Sequence, residues 1–312
     1  MVIPRFCVLR ELRGESLMPE LPDITAYVSS LDRLLLGHEP TGVRVRSPFV
    51  VRTFEPAIDE IVGRKITGFS RRGKRIVWEF DGPLYVVIHL MIAGRFHWKK
   101  PGHVGKSKSD LLAIAFEHGT MALTEASTQK RAGVWVVESL EEVDAMDPGG
   151  LDVLACDLAA FREELLKKNN TLKRALTDPK RFDGIGNAYS DEILHAAGLS
   201  PLKRTQQLSD DEVERLFAAT RQTLTTWIER FAAEALQKFP EKVTAFRPEM
   251  AVHGKFQQPC PVCETAVQRI RYASNECNYC PRCQTGGKLL SDRSLARLLK
   301  DDWPKTIEEL EG

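Results

Sequence analysis

The sequence predicts an α+β protein of several domains, because three different patterns follow one another along its 312 residues. An N-terminal segment with helical spacing leads into short alternating segments that are rich in Val, Ile, Phe and Trp. Helical periodicity begins near residue 151, and five of the seven cysteines lie between 260 and 283. We therefore expect an N-terminal helix with an antiparallel β-sandwich, then a helical domain, then a small cysteine-rich unit.

The first domain is predicted over residues 18–146. Ile24, Val28 and Leu31 recur at helical spacing within 22–37, and Gly37 ends that helix. Gly, Pro and charged turns separate the predicted strands, which are 42–47, 64–70, 74–80, 84–90, 111–117, 120–124 and 133–137. The glycines and proline of 147–150 then interrupt the pattern, so we expect a linker there.

A helical domain is predicted over residues 151–255. Its expected helices are 157–168, 171–177, 187–196 and 209–237. Ser209 and Glu212 form a capping-box pattern at the start of the longest helix. Pro240 and Pro248 fall in the segment 238–258, for which we expect irregular structure.

The cysteine-rich unit, residues 256–290, contains two Cys-Pro-x-Cys pairs, and their thiolates are Cys260, Cys263, Cys280 and Cys283. Two such pairs can complete a tetrahedral zinc site with no open position, so one structural zinc ion is expected. A redox pair is the alternative. Cys277 also has a two-residue spacing to Cys280, but we interpret it as a free thiol, like Cys7 and Cys156. For 291–312 we expect a short helix over 291–300 and an acidic tail.

Charge and hydropathy exclude a polycation and a membrane-spanning chain. The net charge is +1, and no apolar stretch approaches the length of a bilayer span. Basic residues nevertheless cluster at 71–75, in Arg71, Arg72, Lys74 and Arg75, which is typical of a surface that faces phosphate. The cysteine usage indicates a reducing compartment, so we expect a cytoplasmic protein.

The stretch from Met18 to Asp23, Met-Pro-Glu-Leu-Pro-Asp, carries the strongest functional signal. If translation begins at Met18 and that methionine is removed, Pro19 has a free secondary amine beside the carboxylate of Glu20. Such an amine can attack a sugar C1′ as a Schiff-base nucleophile while the carboxylate moves protons. Residues 1–17 lack the apolar core of a signal peptide, and we interpret them as a mis-assigned start.

This opening resembles that of the formamidopyrimidine-DNA glycosylase/endonuclease VIII family, in its formamidopyrimidine branch. The resemblance implies catalysis by Pro19 and Glu20 and a C-terminal zinc finger that ends in Cys-Pro-x-Cys-Gln, as residues 280–284 do. The finger arginine that contacts phosphate in the family is replaced here by Asn275, which cannot neutralise a phosphate. Arg269, Arg271 or Lys288 could compensate for it.

The resemblance also assigns residues in the other two domains. Lys173 and Asn187 match the phosphate-binding residues of the family's helix–two-turn–helix, and Lys74 matches its β-strand lysine beside the lesion. The sequence Gly-Ile-Gly-Asn at 184–187 is itself typical of a phosphate cradle at a helix N-terminus, or else of a glycine turn with Asn187 as N-cap. Ile92 and Arg131 match family residues that fill the gap left by an extruded base. Ala132, where the family has an intercalating phenylalanine, is too small to act as a wedge.

The implied function is base-excision repair of damaged double-stranded DNA by a monomer. An oxidised base, with purines favoured, would be flipped out and excised through the proline Schiff base, and β/δ-elimination would then nick the strand. A catalytically silent binder of abasic or distorted DNA is the main alternative, and an RNA- or ribosome-associated protein is a weaker one. A silent binder would shift damaged DNA without cutting it.

Overall fold

The computed structural model of this protein describes residues 18–105, 107–241, 243, 247–272, 275–291, 297 and 304–311. After helix α1 (Leu21–Leu35), the first domain forms two four-stranded antiparallel sheets. One sheet has the order β1 (Gly42–Val45), β6 (Asp110–Phe116), β7 (Gly119–Glu125), β5 (Gly94–Lys99). The other has the order β2 (Ile66–Arg72), β3 (Arg75–Phe80), β4 (Leu84–His89), β8 (Gly133–Val137). The predicted antiparallel sandwich is confirmed.

Two elements of this domain were not predicted. Strand β5 buries Phe96 while His97 and Trp98 are only partly covered, and its two apolar side chains are too few to give a clear alternation. Helix α2 (Leu140–Ala145) is a short acidic segment in which the Ser139 hydroxyl accepts a hydrogen bond from the Glu142 N–H. Its single buried residue, Val143, leaves almost no helical periodicity to detect.

Helix α1 belongs to two hydrophobic cores at once. Ile24, Tyr27 and Leu31 pack into the core of the sandwich, whereas Leu21 and Ala26 pack into the core of the helical domain. Because one rigid helix contributes to both cores, its N-terminal end is held at the junction of the two domains.

The helical domain contains α3 (Leu158–Leu166), α4 (Leu172–Leu176), α5 (Asn187–Ala196) and α6 (Asp210–Gln237), close to the predicted bounds. The predicted capping box is present, since Ser209 N donates to a Glu212 carboxylate oxygen at 2.9 Å and Glu212 N donates to Ser209 Oγ at 3.3 Å. No helix among the described residues is both long enough and apolar enough to cross a lipid bilayer.

The C-terminal unit consists of the hairpin β9 (Gln268–Tyr272) and β10 (Asn275–Tyr279), the short helix α7 (Pro281–Thr285) and helix α8 (Ile307–Glu311). The tail returns to this unit, because Lys288 forms a β-bridge with Thr306 and Ile307 is buried. The helix predicted over 291–300 lies outside the described residues, apart from positions 291 and 297.

Two buried carboxylates of α5 join the helical domain to the C-terminal unit. Asp191 accepts hydrogen bonds from Lys173 Nζ at 2.6 Å, from Asn278 N at 3.0 Å, and from the His253 ring at 2.7 Å. Glu192 accepts from the backbone N–H groups of residues 251–253 at 2.7–2.9 Å. Burial alone would raise the pKa of Asp191, but the attraction of Lys173 and the bond from His253 outweigh it and lower that pKa.

We predict that Asp191→Ala lowers the free energy of unfolding by about 3–5 kcal/mol, because it leaves a buried cation without its partner. The pKa of Asp191 is lowered in the folded protein. Its contribution to the free energy of unfolding is therefore complete at pH values above the ordinary pKa of an aspartate, and it is lost as pH falls through the lowered pKa. Urea denaturation at neutral and acidic pH measures both effects.

Asp210→Ala is the control, since this carboxylate pairs with Arg162 but is 80% exposed, and its loss should cost less than about 1 kcal/mol. Equal losses for the two variants would contradict the prediction.

Candidate active site

The carboxylate of Glu20 lies at the N-terminus of α5. Its oxygens accept hydrogen bonds from Gly186 N at 2.6 Å, Ala188 N at 2.8 Å and Tyr189 N at 3.3 Å, and the side chain is buried. The first N–H groups of a helix have no partner within the helix, and its dipole favours a negative charge there. Leu21 N also donates to Gly184 O at 2.9 Å, so that backbone and side chain together fix Glu20 against this turn.

The anion at this helix terminus therefore differs from the predicted phosphate. The Gly-Ile-Gly-Asn pattern predicted that the first N–H groups of this helix bind phosphate. The N–H groups of Gly186, Ala188 and Tyr189 donate hydrogen bonds to Glu20 instead. The alternative of an Asn187 cap is also wrong, since Gly186 is the N-cap and Asn187 is the first helical residue. A glycine signature before a helix shows that an anion can approach, but it does not show which anion.

Lys74 reaches the same glycine from the β-sandwich. A Cβ atom on Gly186 would lie 2.4 Å from Glu20 Cδ and 2.6 Å from Lys74 Nζ, so both charged groups border this position. Lys74 is half-buried, and its burial lowers its pKa, while the carboxylates of Glu20, Asp183 and Asp23 act to raise it. The structure thus brings together Glu20 and Lys74, two of the three predicted catalytic residues. The third, Pro19, adjoins Glu20 in the chain and is buried just before α1.

Asp23 is a further acidic residue of this site that the sequence analysis did not assign. Its Oδ2 accepts a hydrogen bond from Glu20 N at 2.8 Å, and its other carboxyl oxygen is buried with no hydrogen-bond partner among the residues that the structure describes. Burial raises the pKa of Asp23 to about 7, and the nearby charge of Glu20 adds to this effect, whereas the bond from Glu20 N opposes it. The spacing of three residues from the helix cap was the available signal.

A cavity of about 290 Å³ opens beside Asp23, between α1 and the C-terminal end of α6. Phe231 and Phe239 contribute aromatic surface, and the Arg247 guanidinium lies 4.8 Å from the centre of the Phe231 ring. The volume is close to the lower end of the range for small-molecule sites. Part of its wall comes from the segment 238–258 that was predicted to be irregular.

The predicted basic cluster is largely neutralised within the protein. Arg71 pairs with Asp183 and, at 3.5 Å, with Asp152, which links the sandwich to the helical domain. Arg72 pairs with Asp144 at 2.6 Å. These two arginines therefore contribute less positive field to solvent than their number in the sequence indicates. Lys74 is the member of the cluster that lies beside Glu20.

Two of the predicted phosphate ligands make contacts within the protein. Lys173 Nζ donates to Asn187 O at 2.5 Å as well as to Asp191, and 13% of its side chain is exposed. The side-chain amide of Asn187 donates to Glu276 O at 2.9 Å. Both residues lie where α4, α5 and the finger hairpin meet, so their side chains connect these elements in the protein alone.

The predicted gap-filling residues lie in two adjacent loops at one end of the sandwich. Ile92 is 41% exposed, in the turn between β4 and β5. Arg131 is exposed, while the N–H groups of Arg131 and Ala132 donate to the buried carboxylate of Glu125 at 2.8 and 3.0 Å. Ala132 is 2% exposed and part of the sandwich core, which explains why a small residue occupies this position.

The four predicted metal ligands converge in the C-terminal unit. Their sulfur atoms all lie within 4.8 Å of one another, with Cys263 Sγ 3.4 Å from Cys280 Sγ and Cys260 Sγ 3.9 Å from Cys283 Sγ. Tetrahedral zinc with Zn–S bonds near 2.3 Å requires sulfur separations of about 3.8 Å, so the cluster fits this ion. Cys277 is buried in β10 outside this group of four, which agrees with the choice of Cys280 and Cys283 as ligands.

The surroundings of the finger include a contact that the sequence did not indicate. His195, at the end of α5, places Nε2 3.2 Å from Cys260 Sγ. Asn275 opens β10, but its side chain lies outside the described structure. Of the arginines that could compensate for it, Arg269 bonds to Glu276 at 3.2 Å and lies 4.1 Å from the centre of the Phe256 ring. Lys288 is exposed.

We predict that Gly186→Ala lowers the free energy of unfolding by about 1–3 kcal/mol, because its methyl group would displace both Glu20 and Lys74. Gly42→Ala is the matched control, since no atom lies within 4 Å of a Cβ at that position. Thermal and urea unfolding of the two variants measure the difference. Equal stability of both would show that Glu20 does not depend on close approach at residue 186.

We also predict that Cys283→Ser reduces cobalt(II) or zinc(II) binding strongly, because it removes one of four ligands. Cys277→Ser should retain one equivalent of tightly bound metal with the charge-transfer spectrum of a tetrathiolate. Metal analysis and cobalt absorption spectra test both variants. Loss of that spectrum in Cys277→Ser and its retention in Cys283→Ser would reverse the ligand assignment.

Comparison with known proteins supports the domain assignments. A sequence model of the formamidopyrimidine-DNA glycosylase N-terminal domain matches residues 18–132, and one of the formamidopyrimidine-DNA glycosylase H2TH domain matches residues 150–237. A formamidopyrimidine-DNA glycosylase of Exiguobacterium sibiricum is 31% identical over 284 residues, which cover 86% of this chain and 99% of that protein. A formamidopyrimidine-DNA glycosylase-like protein of Mycobacterium tuberculosis is 40% identical over 157 residues, covering 50% of this chain and 95% of that protein.

Solved structures show the same fold. A Lactococcus lactis Fpg point mutant in complex with a Fapy-dG-containing DNA is 25% identical, with a TM-score of 0.76, covering 86% of this chain and all of the other. A complex between Lactococcus lactis Fpg and an abasic-site DNA is also 25% identical, with a TM-score of 0.75, covering 85% and 99%. Because both domain models match and the identity to a full-length relative exceeds 30%, this chain belongs to the formamidopyrimidine-DNA glycosylase family.

Proposed function

We propose that this protein is a bifunctional DNA glycosylase and abasic-site lyase that excises oxidised bases from duplex DNA as a monomer. The observation that carries the proposal is the convergence of Lys74 and of Glu20, which directly follows Pro19 in the chain, at the N-terminus of α5. The match to the family model begins at residue 18, directly before Pro19, and several of the similar solved structures contain damaged DNA.

The proposed mechanism begins from a chain whose first residue is Pro19. Its secondary amine attacks the sugar C1′, the bond from C1′ to the base breaks with its electron pair on the base, and the departing base takes a proton from water. An iminium between Pro19 and the opened sugar remains. Loss of a proton from C2′ then expels the 3′ phosphate, and a second elimination expels the 5′ phosphate.

Glu20 suits the proton transfers of this sequence. Its carboxylate is held rigidly by three backbone N–H groups, one residue from the proposed nucleophile. It can take the proton that the Pro19 amine loses on attack and, with little rearrangement, deliver that proton to the ring oxygen of the sugar. The ammonium group of Lys74, which borders the same position of Gly186 as Glu20 does, would hold the phosphate next to the damaged nucleotide. The other predicted DNA contacts stay predictions, and they are Arg131, Ile92, Lys173, Asn187 and Asn275. To bind phosphate, Lys173 and Asn187 would have to exchange or extend the contacts that they make within the protein.

The cavity beside Asp23 is proposed to receive the extruded base. Phe231 and Phe239 offer apolar surface to a planar ring, and Asp23 contributes a carboxyl group to the wall of the cavity. Because the pKa of Asp23 is raised to about 7, its carboxyl can both donate and accept near neutral pH.

The cysteine cluster is proposed to hold one zinc ion. When bound, zinc would cross-link the two cysteine pairs and stabilise the hairpin without taking part in the reaction, because four thiolates leave no open coordination position.

The first test is borohydride trapping on abasic duplex DNA with protein that begins at Pro19. We expect a covalent adduct with this form and none with the full-length chain, whose residue 19 has no free amine. Pro19→Gly should trap weakly or not at all, because glycine offers a primary amine on a more flexible chain. Strong trapping by the full-length chain would contradict Pro19 as the nucleophile. Tight binding with no adduct from either form would support the silent binder instead.

We further predict that Glu20→Gln slows base excision by roughly 100-fold or more, the usual contribution of a general acid, while some lyase activity remains. Glu117→Gln, at an exposed turn, is the matched control and should leave both rates unchanged. Single-turnover excision and cleavage of pre-formed abasic DNA measure the two steps separately. Normal excision by Glu20→Gln would refute the assigned role.

A further inference from the structure

The end of the sheet β2–β3–β4–β8 that carries Lys74 also carries the two predicted gap-filling loops. Lys74 directly precedes β3, Arg75 of β3 pairs with His89 of β4, and His89 pairs with Gly133 of β8. The loop that contains Ile92 follows His89, and the loop that contains Arg131 precedes Gly133. These loops therefore lie side by side next to the proposed catalytic residues.

A further segment, which contains Phe49, lies beside β8 at this end of the sheet. Val51 forms a parallel bridge with Val134, and Arg52 N donates to Val134 O at 2.8 Å. Two residues before Phe49, Ser47 N donates to Leu111 O at 3.2 Å, at the start of β6. The start of β6 pairs with the end of β7, where Glu125 binds the N–H group of Ala132, so Phe49 lies at the same end of the sandwich as Ala132. The Phe49 side chain is 78% exposed.

The backbone that carries Phe49 is well supported. Pro48, Phe49 and Val50 form one turn of 3-10 helix, closed by a hydrogen bond from Val50 N to Ser47 O at 3.0 Å. The side chain of Val50 is 2% exposed and packs into the sandwich core. The ring of Phe49 is therefore presented to solvent from a rigid base, where it is available to contact a partner.

We propose that Phe49 is the aromatic wedge of this protein and that it enters the base stack on the strand opposite the damaged nucleotide, beside Ile92. Extrusion of a base leaves a gap that an inserted apolar side chain can fill, and phenylalanine is among the residues that other DNA-bending proteins insert. Ala132 cannot do so, because it is small and buried. This inference rests on the proposed function, since it concerns how the duplex is held open for excision.

The spacing of the strands agrees with a contact on the opposite strand. Neighbouring strands lie about 4.8 Å apart, so the segment of Phe49 is roughly 14 Å from β3 and Lys74. This distance is similar to the width of the major groove, about 12 Å. Lys74 and Phe49 are thus far enough apart to contact the two strands of one duplex.

Phe54 provides a matched control within the same segment. Thr53 Oγ1 accepts a hydrogen bond from Val136 N at 2.9 Å, so the segment continues along β8 away from Gly133. Phe54 lies beyond this contact and is 95% exposed. It has the same chemistry and similar exposure as Phe49, but it stands at the other end of the strand.

The experiment compares Phe49→Ala, Phe49→Trp and Phe54→Ala, all in protein that begins at Pro19. The probe is a duplex with a tetrahydrofuran abasic analogue and 2-aminopurine in the opposite strand, whose fluorescence increases when it is unstacked. We expect Phe49→Ala to weaken binding about tenfold and to lose the fluorescence increase, in line with the usual value of base–aromatic stacking. Phe49→Trp should keep both properties, and Phe54→Ala should bind within about twofold of the unsubstituted protein.

Binding to single-stranded abasic DNA, which has no stack to open, should be the same for Phe49→Ala and the unsubstituted protein. Thermal unfolding verifies that the variants are folded. Unchanged affinity and fluorescence in Phe49→Ala would overturn the inference, as would equal losses in Phe54→Ala. If the unsubstituted protein forms no trapped adduct but Phe49→Ala still loses duplex binding and unstacking, the wedge is supported and the catalytic proposal fails.

Discussion

The hydrogen bonds between the Glu20 carboxylate and the first N–H groups of α5 are the interaction on which the site depends. Glu20 begins a helix that packs into the sandwich, whereas its bonding partners belong to the helical domain. The bonds therefore satisfy a buried charge and fix the relative position of the two domains in one place. A residue other than glycine at 186 would occupy the space that Glu20 and Lys74 share.

Helix α5 is the element that relates the rest of the molecule to this point. Its N-terminus receives Glu20, while Asp191, Glu192 and His195 connect it to the segment 251–253, to β10 and to the cysteine cluster. A ten-residue helix thus contacts Glu20 at one end and the cysteine cluster at the other. Its buried carboxylates accept hydrogen bonds from Lys173 and from backbone N–H groups.

The number of basic residues in the sequence overstates the positive charge that DNA would meet at the protein surface, because some of these residues form ion pairs within the protein. Arg71 and Lys173 belong to basic patterns that are typical of phosphate contacts, yet both pair with aspartates across element boundaries. A salt bridge of this kind stabilises the junction in the protein alone. Any contact that these groups make with phosphate would have to compete with a carboxylate already in place.

The sequence by itself determined the order of the domains, most helix bounds, seven of the eight sandwich strands and the four cysteines of the metal cluster. These features depend on local periodicity and short spacing, which neighbouring residues encode directly. The convergence of Glu20 and Lys74 on Gly186, the raised pKa of Asp23, the burial of Ala132 and the place of Phe49 at the same end of the sandwich were decided by the tertiary structure. Each of these depends on burial or on contacts between residues distant in the chain, and these are physical quantities that exist only once the chain has folded.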